Sequence, residues 1–314
     1  MKINTATGPI DTASLGATFM HEHVSCADWS LRAAFGETFF SAQKVADKAV
    51  AMYTAVRETC GVATVVDGTP INLGRDVALI KQVAERTGLN FVVSSGFYYQ
   101  MEPSLMARPQ ADIAGMLLNE CEHGINGTGI LPGIMKAAVD QPGLTPYLQK
   151  ILGAVGTVAA QTGLPIFCHH NPSLHDGGDI LDIFESQGVA PGKVIMGHSG
   201  DTDDLDYLQG LLRRGCYIGM DRFGYCAITL SLEKRVATIA ELCQLGWADK
   251  MFLSHDLAAF LGMGAGFDDA AANLMPDYTF IHTKVLPALE AAGVSQELFD
   301  HMMTANPARF FEGR

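Results

Sequence analysis

The 314 residues carry 21 Lys and Arg against 34 Asp and Glu, and the resulting net charge of -13 excludes nucleic acid and anionic membrane surfaces as expected partners. Hydrophobic residues make up 48% and charged residues 18%, with 33 glycines spread along the chain, which excludes disordered and fibrous classes and supplies a large core. The 7 scattered cysteines form no Cys-x-x-Cys pair, the N-terminus lacks a signal peptide's apolar run, and nothing is long and apolar enough to span a bilayer, so a soluble cytoplasmic protein is expected.

Ala17-Thr-Phe-Met-His-Glu-His-Val24 reads as a buried strand ending in His21 and His23, which a period of two places on one face. Ser25 to Gln43 holds Trp29, Phe35, Phe39 and Phe40 without a clear period and reads as a long loop over the strand's end. A helix over 42–58 follows, then a β-branched strand, Val62 to Asp67, closed by Gly68-Thr-Pro70. A helix over 74–87, with Val77, Ile80 and Val83 on one face, leads to strand Phe91 to Ser95 and a second irregular loop to Ala107. Helix 110–122 precedes strand Gly133 to Ala137, and helix 145–161 hands over at Gly163 to strand Pro165 to His169. Helix 179–187 leads to strand Lys193 to His198, and a helix from Asp203 or Asp204 leads to strand Cys216 to Asp221. Helix 232–245 leads to strand Met251 to Asp256, after which come a Gly/Ala-rich loop, a helix over 278–292 and a short tail helix.

Eight strands alternating with helices and no linker predict an α/β fold, a single (β/α)8 TIM barrel in one domain spanning 1–314. An open doubly wound sheet is the alternative, but the Gly-x-Gly-x-x-Gly turn expected after its first strand is missing. His21, His23, Lys136, His169, His198 and Asp256 all fall at or near the ends of predicted strands 1, 4, 5, 6 and 8. In a barrel those ends meet at the catalytic face, so the six share one cavity. Four imidazoles and a carboxylate suit a divalent metal: zinc first, with iron, cobalt or manganese also compatible. Lys136 poses a conflict, because an ammonium about 4 Å from a dication is repelled by about 8 kcal/mol at an effective dielectric near 20. Either it points away as a structural residue, or carbon dioxide carbamylates it, reversing its charge and providing oxygens that bridge two metals.

His21-Glu-His23, Gly133-Ile-Met-Lys136, His169, Gly197-His198-Ser-Gly-Asp-Thr-Asp-Asp204, Met220-Asp-Arg-Phe-Gly224 and Leu253-Ser-His-Asp256 together resemble the phosphotriesterase family of the amidohydrolase superfamily, most closely its lactonase branch. The likeness runs from the Thr7 segment to Ala305-Asn-Pro-Ala-Arg-Phe-Phe311. It implies two divalent metal ions held by His21, His23, carbamylated Lys136, His169, His198 and Asp256, with a bridging hydroxide that Asp256 deprotonates. It also implies that Tyr98 leans over the metals, that Arg222 on the pocket wall pairs with a substrate carbonyl, and that the protein is a homodimer. The expected substrate is a small lactone or ester, N-acyl homoserine lactones included. A phosphotriesterase, a carboxylesterase or an amidase is the alternative on the same centre. A non-catalytic ligand-binding relative predicts a missing ligand, and a mononuclear deaminase-type enzyme leaves Lys136 idle.

Strand parity leaves open which of His255 and Asp256, and which of His169 and His170, faces the cavity, and the resemblance selects Asp256. His170 departs from the small residue of the lactonase branch, and His175 is a further polar residue near the rim. His123, His282 and His301 are read as structural or solvated. The loop after strand 8, Leu257 to Phe267, lacks the branch's cysteine pair and reads either as a lid whose Phe260, Leu261 and Met263 line an acyl groove or as a buried cap.

Overall fold

The structure is a computed structural model that describes residues 1–227, 229–262 and 277–313. An antiparallel hairpin of β1 (Lys2–Thr5) and β2 (Gly8–Asp11) opens the chain, pairing Ile3 with Ile10. Then come β3 (Ala17–Ala27), β4 (Val62–Asp67), β5 (Asn90–Gly96), β6 (Ile134–Ala138), β7 (Ile166–His169), β8 (Val194–Gly197), β9 (Tyr217–Met220) and β10 (Met251–Leu253), each parallel to the next.

Closure of the ring uses a split eighth strand. β10 pairs with β9, while β11 (Ala258–Gly262) pairs in parallel with the far end of β3, setting Ala258 opposite His23 and Gly262 opposite Ala27. Between them, the Asp256 N–H donates to the His21 carbonyl at 3.1 Å and the His23 N–H donates to the Leu257 carbonyl at 2.8 Å. The eighth strand thus reaches the first, and the fold is the predicted barrel.

Side-chain alternation sorts the core into two layers. Met20, Val66, Val92, Ile134, Phe167, Ile195, Tyr217 and Phe252, one from each barrel strand, fill the interior, and Ile3, Leu15, Phe310 and Phe311 join them as its floor. The opposite faces, with Phe19, Val65, Phe91, Val93, Met135 and Cys168 among them, pack against the helices. β3 breaks strict alternation: its pairing with β4 shifts register between Phe19 and Glu22, so Met20 can fill the interior while the next residue, His21, packs on Phe167 at 4.2 Å between ring centroids.

Several helices begin where a side chain caps them. Asp76 accepts from the Leu79 N–H, Thr145 from Leu148, Asp204 from Tyr207 and Ser231 from Lys234, starting helices Val77–Thr87, Pro146–Thr162, Leu205–Arg213 and Leu232–Gln244.

Four local expectations need correction. β3 continues to Ala27, four residues past His23, because β11 supplies a partner for its end. The stretch read as loop from Ser25 to Gln43 also contains helix Trp29–Phe35, capped by Asp28. The hairpin β1–β2 was not expected at all, since four-residue strands carry too little alternation. After strand 8, Ala258–Gly262 is a strand, with Phe260 packed on Phe39 and Phe40. Met263 lies outside the described residues.

Candidate active site

The six residues singled out as ligands meet at the C-terminal rim, all buried. His21 and His23 stand mid-strand on β3, Lys136 mid-strand on β6, and His169 ends β7. His198 follows β8 and Asp256 follows β10, both in left-handed backbone at φ 65° and 61°. Such a conformation costs a non-glycine residue about 1–2 kcal/mol and is held by its surroundings. At His198 the backbone N–H donates to Asp221 Oδ1 at 2.7 Å.

Around Asp256, Oδ1 lies 3.1 Å from His23 Nε2 and 3.4 Å from His21 Nε2, and Oδ2 lies 4.0 Å from His198 Nε2. Lys136 Nζ sits 2.9 Å from His21 Nε2 and 4.3 Å above the Phe167 ring. Among the described residues, the ligand atoms of His21, His198 and Asp256 lie within 4.8 Å of one another and form a candidate metal-binding group. A Cβ at Gly68 would stand 2.6 Å from His21 Cδ2 and 3.4 Å from Lys136 Nζ, so glycine there leaves room beside both groups.

Hydrogen bonds outside the cluster set the tautomers and so test the fit to a cation. Asp221, fully buried on the chain after β9, accepts from His21 Nδ1 and from His198 Nδ1, each at 3.1 Å. Asp140 accepts from His169 Nε2 at 2.9 Å, and His23 Nδ1 meets Thr69 Oγ1 at 2.8 Å. With those protons placed, His198 Nε2 and His169 Nδ1 face each other as two lone pairs only 2.7 Å apart. Two neutral imidazoles repel in that arrangement, and a cation resolves it. The donor set fits a metal.

Electrostatics point the same way at His21 and His198, whereas at His23 burial is outweighed by Cys26 and Asp256, which raise it well above the usual histidine range. Burial, helped by Lys136, lowers His21 to about 4, and burial with Arg222 and His169 holds His198 well below the usual histidine range, leaving neutral imidazoles. Burial opposes the charge on Asp256, yet the hydrogen bonds from His23 and the Arg222 guanidinium hold its carboxyl well below the carboxylate range. Burial also brings Lys136 down to about 8, against the pull of Asp256 and Asp221. At pH 7 about a tenth of such a lysine is unprotonated, the form that attacks carbon dioxide.

A cavity of about 300 Å³ opens above the cluster, its walls including His23, Asp140 and Asp256, the polar Tyr98 and Arg222, and the apolar Leu73 and Leu261. Tyr98 stands edge-on to His169, with ring centroids 5.0 Å apart. Burial, with Asp256 nearby, pushes its phenol well above the usual range, so it is a proton donor at neutral pH. Arg222 donates from Nε to Asp256 Oδ2 at 3.1 Å and from Nη1 to Asp201 Oδ2 at 2.9 Å. Its carboxylate partners are therefore Asp256 and Asp201, and Asp221 serves the histidines instead.

The remaining histidines stay outside the cluster. His255 turns outward, edge-on to Phe19 at 4.8 Å, which resolves the parity question in favour of Asp256. His170 also turns away, its Nδ1 donating to the Gly197 carbonyl at 2.5 Å. His175 is exposed and rests on Tyr207, with centroids 4.7 Å apart. His282 packs on Phe299, His301 pairs with Asp249, and His123 is exposed. Sequence reasoning missed Asp221, Asp140, Thr69 and Glu22. Of these, Glu22 lay inside the leading motif, and a carboxylate in so apolar a strand was the available signal.

A parallel α/β barrel whose rim gathers four histidines, a lysine and a carboxylate, with outer carboxylates fixing the imidazole tautomers, defines a barrel hydrolase with a candidate metal site. A profile of the Phosphotriesterase family matches residues 1–311, and the chain belongs to that family. It is 39% identical to the phosphotriesterase homology protein of Mycobacterium tuberculosis (strain ATCC 25618 / H37Rv), over 99% of this chain and 98% of that one. It is 30% identical to the aryldialkylphosphatase of Saccharolobus solfataricus, over 96% of each chain. It is 24% identical to the human (Homo sapiens) N-acetyltaurine hydrolase, over 98% of this chain and 97% of that one. The solved structure of the phosphotriesterase from Mycobacterium tuberculosis superposes with a TM-score of 0.93 at 40% identity, covering 99% of this chain and 98% of that one.

Proposed function

We propose that this phosphotriesterase-family hydrolase is a metal-dependent lactonase that opens lactones such as N-acyl homoserine lactones. The observation that carries the metal dependence is the pair of lone pairs, His169 Nδ1 and His198 Nε2, converging at 2.7 Å. In this reading His21, His23, carbamylated Lys136, His169, His198 and Asp256 would hold two divalent ions. When bound, the metals, zinc first among those the donor set suits, supply Lewis-acid polarisation and a lower pKa for solvent water.

The chain's own residues do the rest. Asp256, kept ionised, accepts the proton of the attacking water and returns it to the ring oxygen as that bond breaks. Tyr98 donates to the substrate carbonyl from its protonated phenol. Arg222 orients Asp256 through Nε. Leu73 and Leu261 make the cavity wall on which an acyl chain lies. The homodimer implied by the family resemblance is part of the same proposal.

Phosphotriester and amide hydrolysis are the second reading, favoured by relatives named aryldialkylphosphatase and N-acetyltaurine hydrolase. Both follow from the same centre, since wall residues select the substrate. The test is kcat/KM of zinc-loaded protein on a long-chain acyl homoserine lactone, a simple δ-lactone, a phosphotriester, an aryl ester and an N-acyl amide. A lactone should lead by about a hundredfold or more, roughly 2.7 kcal/mol of transition-state discrimination. A lead by any other substrate removes the lactonase assignment and leaves the metal centre standing.

A further inference from the structure

Asp256 adopts a left-handed backbone conformation, and in a residue with a Cβ that conformation persists only where the flanking chain is held. One carboxylate holds both flanks. Glu22, fully buried between His21 and His23, accepts from the His255 N–H at Oε1 (2.8 Å) and from the Leu257 N–H at Oε2 (2.9 Å). These are the residues immediately before and after Asp256.

The same carboxylate is tied further. Oε1 accepts from the Ser254 hydroxyl at 2.9 Å and from His255 Nδ1 at 2.8 Å, and Ser254 Oγ accepts the His21 N–H at 3.0 Å. On its far side, the His255 ring accepts the Ile281 N–H at Nε2 (3.3 Å). Glu22 is absent from the cavity wall and sits on the opposite side of β3 from the imidazoles it separates. It therefore acts without touching substrate.

We infer that Glu22 is a positioning residue: it clamps the 254–257 turn so that Asp256 presents its carboxylate to His21 and His23, and so sets the affinity of that half of the centre. The inference rests on the proposed ligand role of Asp256. Charge matters as much as shape here, because four donors converge on two oxygens. A glutamine would keep one oxygen for the His255 side and aim an N–H₂ at the Leu257 N–H, donor against donor at 2.9 Å. The turn would relax and Asp256 would leave its conformation.

The experiment uses wild type, Glu22→Gln, Asp256→Asn and the double variant, each zinc-loaded, dialysed against graded chelator and read as zinc per chain, with thermal midpoint and the pH profile of turnover alongside. Glu22→Gln should weaken retention of one of two zinc ions by about tenfold or more and spare the other. In the Asp256→Asn background the same substitution should change zinc retention by less than about twofold, since its effect passes through Asp256. An equal loss in both backgrounds overturns the inference and makes Glu22 a general support of the barrel. If Asp256→Asn itself leaves zinc and turnover at wild-type levels, the ligand reading of Asp256 fails, and the inference falls with it. Should Glu22→Gln not fold, His255→Gln decides. It removes the ring from Glu22 but keeps both backbone donors, so zinc retention should stay within about threefold while the thermal midpoint drops, and a tenfold zinc loss contradicts the clamp.

Discussion

The floor and the rim of this barrel are built from the same strands, two residues apart. Ile134 and Phe167 belong to the floor layer, and Lys136 and His169 follow them at the next inward position. Below, Phe252 stacks on Tyr217 at 5.0 Å and meets Phe310 edge-on at 5.5 Å. Above, the imidazoles are held by Asp221, Asp140 and Thr69. Phe167 belongs to both layers, lying under the His21 ring and the Lys136 ammonium. The difference shows where stability and chemistry part: close packing below fixes strand positions, and the rim spends that rigidity on holding charges and lone pairs together.

The sharpest break between the layers is at Asp256. Asp256→Asn keeps the side chain's volume and removes the proton acceptor, so kcat for the best substrate should fall by about a thousandfold, with the thermal midpoint nearly unchanged. Wild-type turnover in that variant removes the proton-transfer role.

At the floor the expectation reverses. Phe252→Ala should cost about 3–5 kcal/mol of unfolding free energy in a denaturant titration, while kcat per folded molecule stays within about twofold. A large activity loss with intact stability would mean that floor and rim are not separable.

A smaller effect sharpens the contrast away from both layers. Burial, with His255 beside it, lowers His282 to about 4, so the fold keeps this imidazole neutral while the unfolded chain protonates it below about 6.5. The unfolded state then binds the extra proton, and the His282 share of stability is complete above pH 6.5 and lost as pH falls from 6.5 toward 4. Thermal midpoints from pH 7.5 to 4.5 should fall less steeply in His282→Gln than in wild type. Parallel curves would contradict that assignment.

Much of this was legible in the chain itself. Eight apolar runs alternating with helices announce a parallel barrel, and six polar residues at or near the ends of five of them declare a shared face because barrel ends converge. What stayed illegible depends on partners distant in sequence. Asp221 could not be read as the acceptor for both His21 and His198, since those lie 200 and 23 residues away. Ala258–Gly262 is apolar and near-featureless, and becomes a strand because β3 has an open edge there. The inward turn of both Met20 and His21 needs a bulge that no period-two pattern encodes.

The most direct test strips the protein with chelator, then restores zinc with and without bicarbonate while zinc per chain and turnover are followed together. Stripping should abolish turnover, about two zinc ions per chain should restore it, and restoration should be faster with bicarbonate, which supplies the carbon dioxide for the proposed Lys136 carbamate. Full turnover in the metal-free protein would contradict the proposed metal dependence.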